Sequence, residues 1–134
     1  MANILYMKLK EQLLTTLASS TVKVVLIDTG AYTYSAAHEF LSSVPSGARI
    51  GTPQTLTSKT LVNGVFDASD VTIPNVPAGT GTGSAAEAIL IYIDTGTEST
   101  SRLVTLIDAA PGLPVTPNGG NVVVTWAAEG IFAL

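Results

Sequence analysis

The chain contains no cysteine and a single histidine. Without cysteine there is no disulfide, no thiolate nucleophile and no zinc cluster built on thiolates. His38 stands beside Glu39, but adjacent positions on a helix do not face each other. No second imidazole exists to complete a metal set, so His38 is read as a structural residue, exposed or hydrogen-bonded. Charge is also scarce. Asp, Glu, Lys and Arg make up 12% of the residues, about half the usual quarter. The six basic residues are scattered, and only Lys8 and Lys10 lie close together. A phosphate-binding stripe is therefore missing, and direct nucleic-acid binding is not expected. Aromatic residues, at 6%, are too few to predict an exposed sugar-stacking face. No apolar run approaches the roughly 18 residues of a membrane span. The first residues carry Lys8, Lys10 and Glu11 without a long apolar h-region, so neither a signal peptide nor a membrane partner is expected.

What is present is apolar and β-forming. Hydrophobic residues are 46% of the 134, which excludes disorder. The length is that of one domain, residues 1–134, large enough to bury a core without staples. Thr, Ser and Gly dominate the polar remainder and suit strands and turns. A weakly charged surface of this kind points to partial cover by a partner or by copies of the same chain.

The clearest pattern is residues 87–108: E-A-I-L-I-Y-I-D, T-G-T-E-S-T-S, R-L-V-T-L-I-D. Two β-type runs flank a polar loop, as in a hairpin with a long connection. Ile89, Ile91 and Ile93 fall on one face, Leu90 and Tyr92 on the other. Both faces are apolar, which predicts a central strand covered on both sides. V-K-V-V-L-I-D at 22–28 is a second strong strand. It ends in Asp28-Thr29-Gly30, and the hairpin's first strand ends in Asp94-Thr95-Gly96, a shared turn chemistry.

Residues 4–18 read as an amphipathic helix, with Leu5 or Tyr6, Leu9, Leu13 and Leu17 near four-residue spacing and Asn3 as its N-cap. Residues 1–20 are thus a helical segment that packs on the sheet or forms an arm docking on a neighbour. A second, short helix is expected over residues 36–42, capped by Ser35 and stopped by Pro45, with Phe40 and Leu41 inward. Residues 48–62 read as extended and broken by Pro53, and Asn63-Gly64 as a hairpin turn. Short strands are predicted over 65–67, 71–73 and 121–126, with Val122, Val124 and Trp126 on one face. Pro111, Pro114 and Pro117 stiffen the connection at 109–120. The tail I-F-A-L is expected to tuck into a sheet or against a neighbour. The fold class is mainly β: a β-sandwich or jelly-roll-like barrel of about seven or eight strands, with an N-terminal helix and one short additional helix.

Motifs that carry chemistry are weak. Gly79, Gly81 and Gly83 give G-x-G-x-G-S, but no Gly-Lys-Ser/Thr follows, and Pro74 and Pro77 precede where a strand is needed. A surface loop is the better reading. Asp67 and Asp70 lack the repeated ligands and closing Glu of a calcium loop and are read as turn caps. Asp28, Asp94 and Asp108 all end strands and are the one source of paired carboxylates. Strand-end Asp is also an ordinary turn residue. No catalytic residue, metal ligand or cofactor is assigned.

The order of segments nevertheless resembles a group of small virion structural proteins of tailed bacteriophages. The similar features are the N-terminal helix, V-K-V-V-L-I-D, A-Y-T-Y-S-A-A-H-E-F-L-S, N-G-V-F-D-A-S-D-V-T, A-I-L-I-Y-I-D-T-G-T-E-S-T-S-R-L-V-T-L-I-D and G-L-P-V-T-P-N-G-G-N-V-V-V-T-W with a terminal I-F-x-L. The resemblance covers nearly the whole chain and is strongest to capsid cement, or decoration, proteins. It implies a non-enzymatic protein, made in the host cytoplasm, that binds the outside of the major capsid protein lattice in the virion. Closed oligomers are common for such parts, and a homotrimer at local three-fold positions is expected. The expected subunit or capsid contacts are Leu5, Leu9 and Leu13, then Gly79, Gly81 and Gly83, then Ile131, Phe132 and Leu134, together with the polar loop at 95–101. The competing readings are a neck, tail or fibre-associated virion protein, a carbohydrate-binding β-sandwich, and a hydrolase built on the strand-end Asp residues.

Overall fold

The computed structural model describes residues 3–77 and 85–134. Gly79, Gly81 and Gly83 lie outside the described residues. Two strands form the centre: β1, Val22–Ile27, and a later strand, Ala88–Ile93, paired antiparallel from Val22↔Ile93 to Ile27↔Ala88. In chain order the remaining strands are β2 (Arg49–Thr55), β3 (Thr60–Val62), β4 (Val65–Asp67), β5 (Val71–Ile73), then β6 (the central Ala88–Ile93), β7 (Leu103–Ile107), β8 (Val122–Val124) and β9 (Phe132–Ala133). The main sheet runs β2-β1-β6-β7. A three-stranded sheet runs β3-β4-β9, and β5 pairs with β8. The class is mainly β and sandwich-like, as the sequence predicts.

The alternation of side chains explains the layers. Val22, Val24 and Leu26 of β1 share a face with Ile89 and Ile91 of β6. That face meets Phe66, Val71, Ile73 and Val124 from the two small sheets, forming the larger core. Val25, Ile27, Ala88, Leu90 and Tyr92 point the other way. They are covered by Tyr32, Leu41, Val44 and Ala48 from the connection between β1 and β2. The central strand is thus covered on both sides.

Edge strands carry the irregularities. Opposite the single residue Val25, β2 places Gly51, Thr52 and Pro53 in a bulge. A bulge on an edge strand is where a proline can sit without removing a ladder hydrogen bond. Gly51 has φ +80, and a Cβ there would meet Ile73 Cγ2 at 3.2 Å, so this bend packs directly on β5. Between β3 and β4, Asn63 and Gly64 both have positive φ, 55° and 79°. This is the two-residue turn that matches strand twist. The tail forms β9 against β4, with Phe132 opposite Phe66 and their rings 5.4 Å apart.

Two expectations need correction. Residues 36–42 do not form an α-helix. Ser35 closes a turn by accepting from the amides of Ala37, on Oγ, and His38, on its carbonyl. Residues 39–41 then run beside β7, with Leu103 N donating to Glu39 O at 2.9 Å and Leu41 N to Ser101 O at 2.8 Å. Pairing to a sheet edge wins over a weak local helix, and a 3-10 turn follows at Leu41–Ser43. Leu41 is buried, whereas Phe40 is half-buried under the Arg102 guanidinium, 4.7 Å from its ring centre.

The N-terminal helix is also shorter than expected and broken. Helix α1 spans Met7–Leu13 and α2 spans Thr15–Ser19. Thr15 Oγ1 donates to Gln12 O at 2.6 Å, a side-chain bond that competes with the helix ladder at the break. Tyr6, still extended, is the N-cap residue. Asn3 lies a full turn earlier and cannot reach the first helical amides. Lys59 Nζ reaches the last turn of α2, donating to Leu17 O at 2.9 Å and to Ser20 O. A cation there suits the negative end of a helix.

Candidate interaction surface

Helix α1 sits on the body of the molecule by its polar residues. Glu11 Oε1 accepts from the Asn63 amide at 2.7 Å. The Lys10 stem lies on Gly64, where an added Cβ would be 2.9 Å from Lys10 Cβ. These two contacts dock α1 on the β3–β4 turn. They leave its apolar residues facing outward: Leu9 and Leu13 are exposed, as are Ile4, Leu5, Tyr6 and Met7 around the helix start. No residue of α1 is buried, and the first buried position is Leu17 in α2. An ordinary surface helix does the reverse, with its apolar stripe on the core. Leu134 belongs to the same region, because its amide donates to Gly64 O at 3.0 Å and its side chain is exposed.

The predicted contact residues therefore separate. Leu5, Leu9, Leu13 and Leu134 are exposed in the region of the β3–β4 turn. Ile131 and Phe132 are half-buried and pack against the core of their own chain. The loop at 95–101 is less free than its composition suggests. Ser101 is buried, accepting from Thr95 N at 3.1 Å and donating to Thr97 O at 2.8 Å. Glu98 grips Arg49 through both oxygens, at 2.8 and 3.0 Å. Arg49 also donates to the carbonyls of Leu41 and Val44, so one guanidinium ties the loop to the cover over the second core.

One feature went unread in the sequence. An apolar groove of about 420 Å³ opens between the main sheet and β8, lined by Leu26, Ile89, Ile107, Val122, Val124 and Trp126 among others. Residues 109–115 form part of its wall. Trp126 is half-buried there, its Nε1 donating to Ser69 O at 3.1 Å and its amide to Asp70 Oδ1 at 2.9 Å. The proline-stiffened connection was the available signal, but a groove made by four separate segments has no local signature.

Asp28, Asp94, Asp67, Asp70 and His38 have structural partners, and Asp108 follows β7 at the Asp28 end of the main sheet. Asp28 Oδ1 accepts from Gly30 N at 2.8 Å, and Asp94 Oδ1 from Gly96 N at 3.0 Å, so the repeated Asp-Thr-Gly is one turn used twice. Asp28 and Asp94 lie at opposite ends of the β1–β6 pair, on the order of 20 Å apart for a six-residue strand. Asp67 bonds the amide of Ala68 at 2.8 Å, and Asp70 that of Trp126. His38 Nδ1 and the Tyr32 hydroxyl share a hydrogen bond of 2.8 Å. Among the described residues, no group of three or more His, Cys, Asp or Glu side chains is placed to hold a metal, and no helix is long and apolar enough to cross a membrane.

Three carboxylates are held below their ordinary pKa. Glu11 is lowered first by the Asn63 amide and then by Lys8, Asp94 by Lys23 and the Gly96 amide, and Glu98 by Arg49. A depressed folded value means that the unfolded chain takes up the proton first as pH falls. Their contribution is complete above the ordinary carboxylate range, about pH 4.5, and is lost as pH drops through the lowered values. Melting temperature should therefore be flat from pH 7 to about 5 and fall below about 4. Glu98→Gln should lower the neutral plateau and flatten the acid limb. An unchanged acid limb in that variant would show that the Arg49 pair does not couple to folding.

A scan of protein families gives no match to this sequence, and no curated protein matches it.

Proposed function

We propose that this chain is a non-enzymatic structural protein of a tailed-bacteriophage virion, a cement protein that binds the outer face of the major capsid protein lattice and stabilises it as a homotrimer. The observation that carries the reading is the reversed helix: a rigid β core offers an apolar helical surface to the outside and holds it there by polar contacts. The sequence resemblance supplies the class of partner. A contact protein of this type works by area and shape, with about 1,600 Å² of total buried surface for a standard stable interface. Repetition over a symmetric shell multiplies weak single contacts. Asp28 and Asp94 close turns at strand ends, which fits a scaffold better than a reaction centre.

Binding to undecorated capsids tests this directly. Purified protein should bind such capsids saturably, at a fixed ratio to the major capsid protein, and raise the temperature at which the shells come apart. Binding that never saturates, or saturation without any gain in shell stability, would end the cement reading.

A further inference from the structure

The outward surface of α1 has the spacing of a helix-packing seam. Tyr6, Leu9 and Leu13 stand at i, i+3 and i+7, the a, d and following a positions of a heptad. Tyr6 belongs to this turn, because its carbonyl accepts from Lys10 N at 3.1 Å. Glu11 falls at f, opposite that seam, and it is the residue bonded to the hairpin turn. Lys10, the other docked residue, falls at e, so the body holds α1 by its back and one flank and leaves Tyr6, Leu9 and Leu13 exposed. Tyr6 is 86% exposed, Ile4 77% and Leu134 47%. Leu13 is 57% exposed, Leu5 48% and Leu9 41%. At about 200 Å² per large side chain these six expose on the order of 700 Å², close to the roughly 800 Å² that each partner contributes to a standard stable interface.

The geometry points to a second copy of this chain as the occupant: α1 helices from neighbouring copies pack seam to seam around a symmetry axis, with Leu134 at the edge of the contact. The spacing suits another helix, and every copy carries one in the same orientation. A seam that is apolar along its length complements itself, as a closed symmetric interface requires. Lys8, at position c on the outer side of the helix, pairs with Glu11 of its own chain at 3.1 Å, so its charge is answered without a partner. This assignment rests on the contact-protein reading above and places α1 between the copies of the homotrimer through which the lattice is bound.

The test is particle mass in solution, by sedimentation or light scattering at tens of micromolar. The wild-type chain should run at an integer multiple of 13.7 kDa. The double variant Leu9→Lys with Leu13→Lys should run as a single chain, its self-association weakened at least ~100-fold, with an unchanged circular dichroism spectrum. Val123→Lys, at an exposed apolar position on β8, should leave the mass unchanged. A single-chain mass for the wild type, a double variant that keeps its mass, or dissociation by Val123→Lys as well would each overturn the assignment. A single-chain wild type that still saturates capsids would remove this inference, and the homotrimer with it, but leave lattice binding. A multimer that ignores capsids would instead remove the cement reading.

Discussion

Replacing Phe66 with alanine should cost about 3–5 kcal/mol of folding stability. Phe66 is the largest side chain that is fully buried. It lies in β4, the middle strand of β3-β4-β9, directly opposite Leu61 on one side and Phe132 on the other. Its ring belongs to the same core as Val22, Val24 and Leu26 of the main sheet. One side chain thus fastens the small sheet to the large one and seats the C-terminal strand. Truncation removes the transfer energy of the ring and leaves a cavity between two sheets that cannot close without moving. The tilted pairing with Phe132 is lost as well. For a chain of this length the melting temperature should fall by about 10–20 °C, read by calorimetry or circular dichroism. Phe66→Leu should recover most of the loss, since volume is largely restored. A loss below about 1 kcal/mol for the alanine variant would mean that the two sheets do not share a core.

The strands around Phe66 were legible in the sequence for a simple reason. β1 and β6 are apolar at both parities, and a strand of that kind has to be covered on two sides. Asn63-Gly64 announced its turn because two consecutive positive φ values admit few other residues. The two Asp-Thr-Gly turns were visible as local chemistry, since the bond runs between residues i and i+2. Of the two places expected for the apolar tail, a sheet or a neighbour, Phe132–Ala133 take a sheet, whose partner β4 is some 65 positions away and not deducible from the tail itself.

What was not legible depends on distant pairs. The run A-A-H-E-F-L-S has an acceptable helix pattern, and only its hydrogen bonds to Ser101 and Leu103 forbid the helix. Periodicity located the stripe on α1 but could not orient it. Packing the stripe on the sheet was the expected outcome, with an arm as the alternative. The Asn63 amide and the small surface of Gly64 attract Glu11 and Lys10 instead, and they turn the stripe outward. Ser101 looked like one more loop hydroxyl. It is buried because Thr95 and Thr97 fold the loop around it. In each case a polar contact across many residues decided the outcome, and hydrophobic patterning does not record such contacts.

Gly130→Ala is the second large effect. Gly130 has φ +113, a region that side chains with a Cβ rarely enter. An added Cβ would stand 2.4 Å from Val65 Cγ1 and 3.2 Å from the Phe66 carbonyl oxygen. The first contact is far inside van der Waals distance, and the second is with backbone inside a sheet, which cannot swing away. Strain in the backbone costs about 1–3 kcal/mol, and forced overpacking about as much again. The cheapest relief is for the chain after residue 130 to lift from β4. That would break the Ile131 amide bond to Phe66 O at 2.8 Å, release Phe132 from Phe66, and free the Leu134 amide from Gly64. The expected result is a loss of about 2–5 kcal/mol, with amide exchange accelerated first in β9 and β4 and least in β1 and β6. Because Gly64 also supports Lys10, loosening Leu134 should reach α1, and Gly130→Ala should weaken self-association while leaving every seam residue in place. A destabilised variant whose exchange rises uniformly across the described strands would argue that β9 unfolds with the core. The C-terminal strand would then not be the separable brace between the core and the outward helix that this geometry makes it.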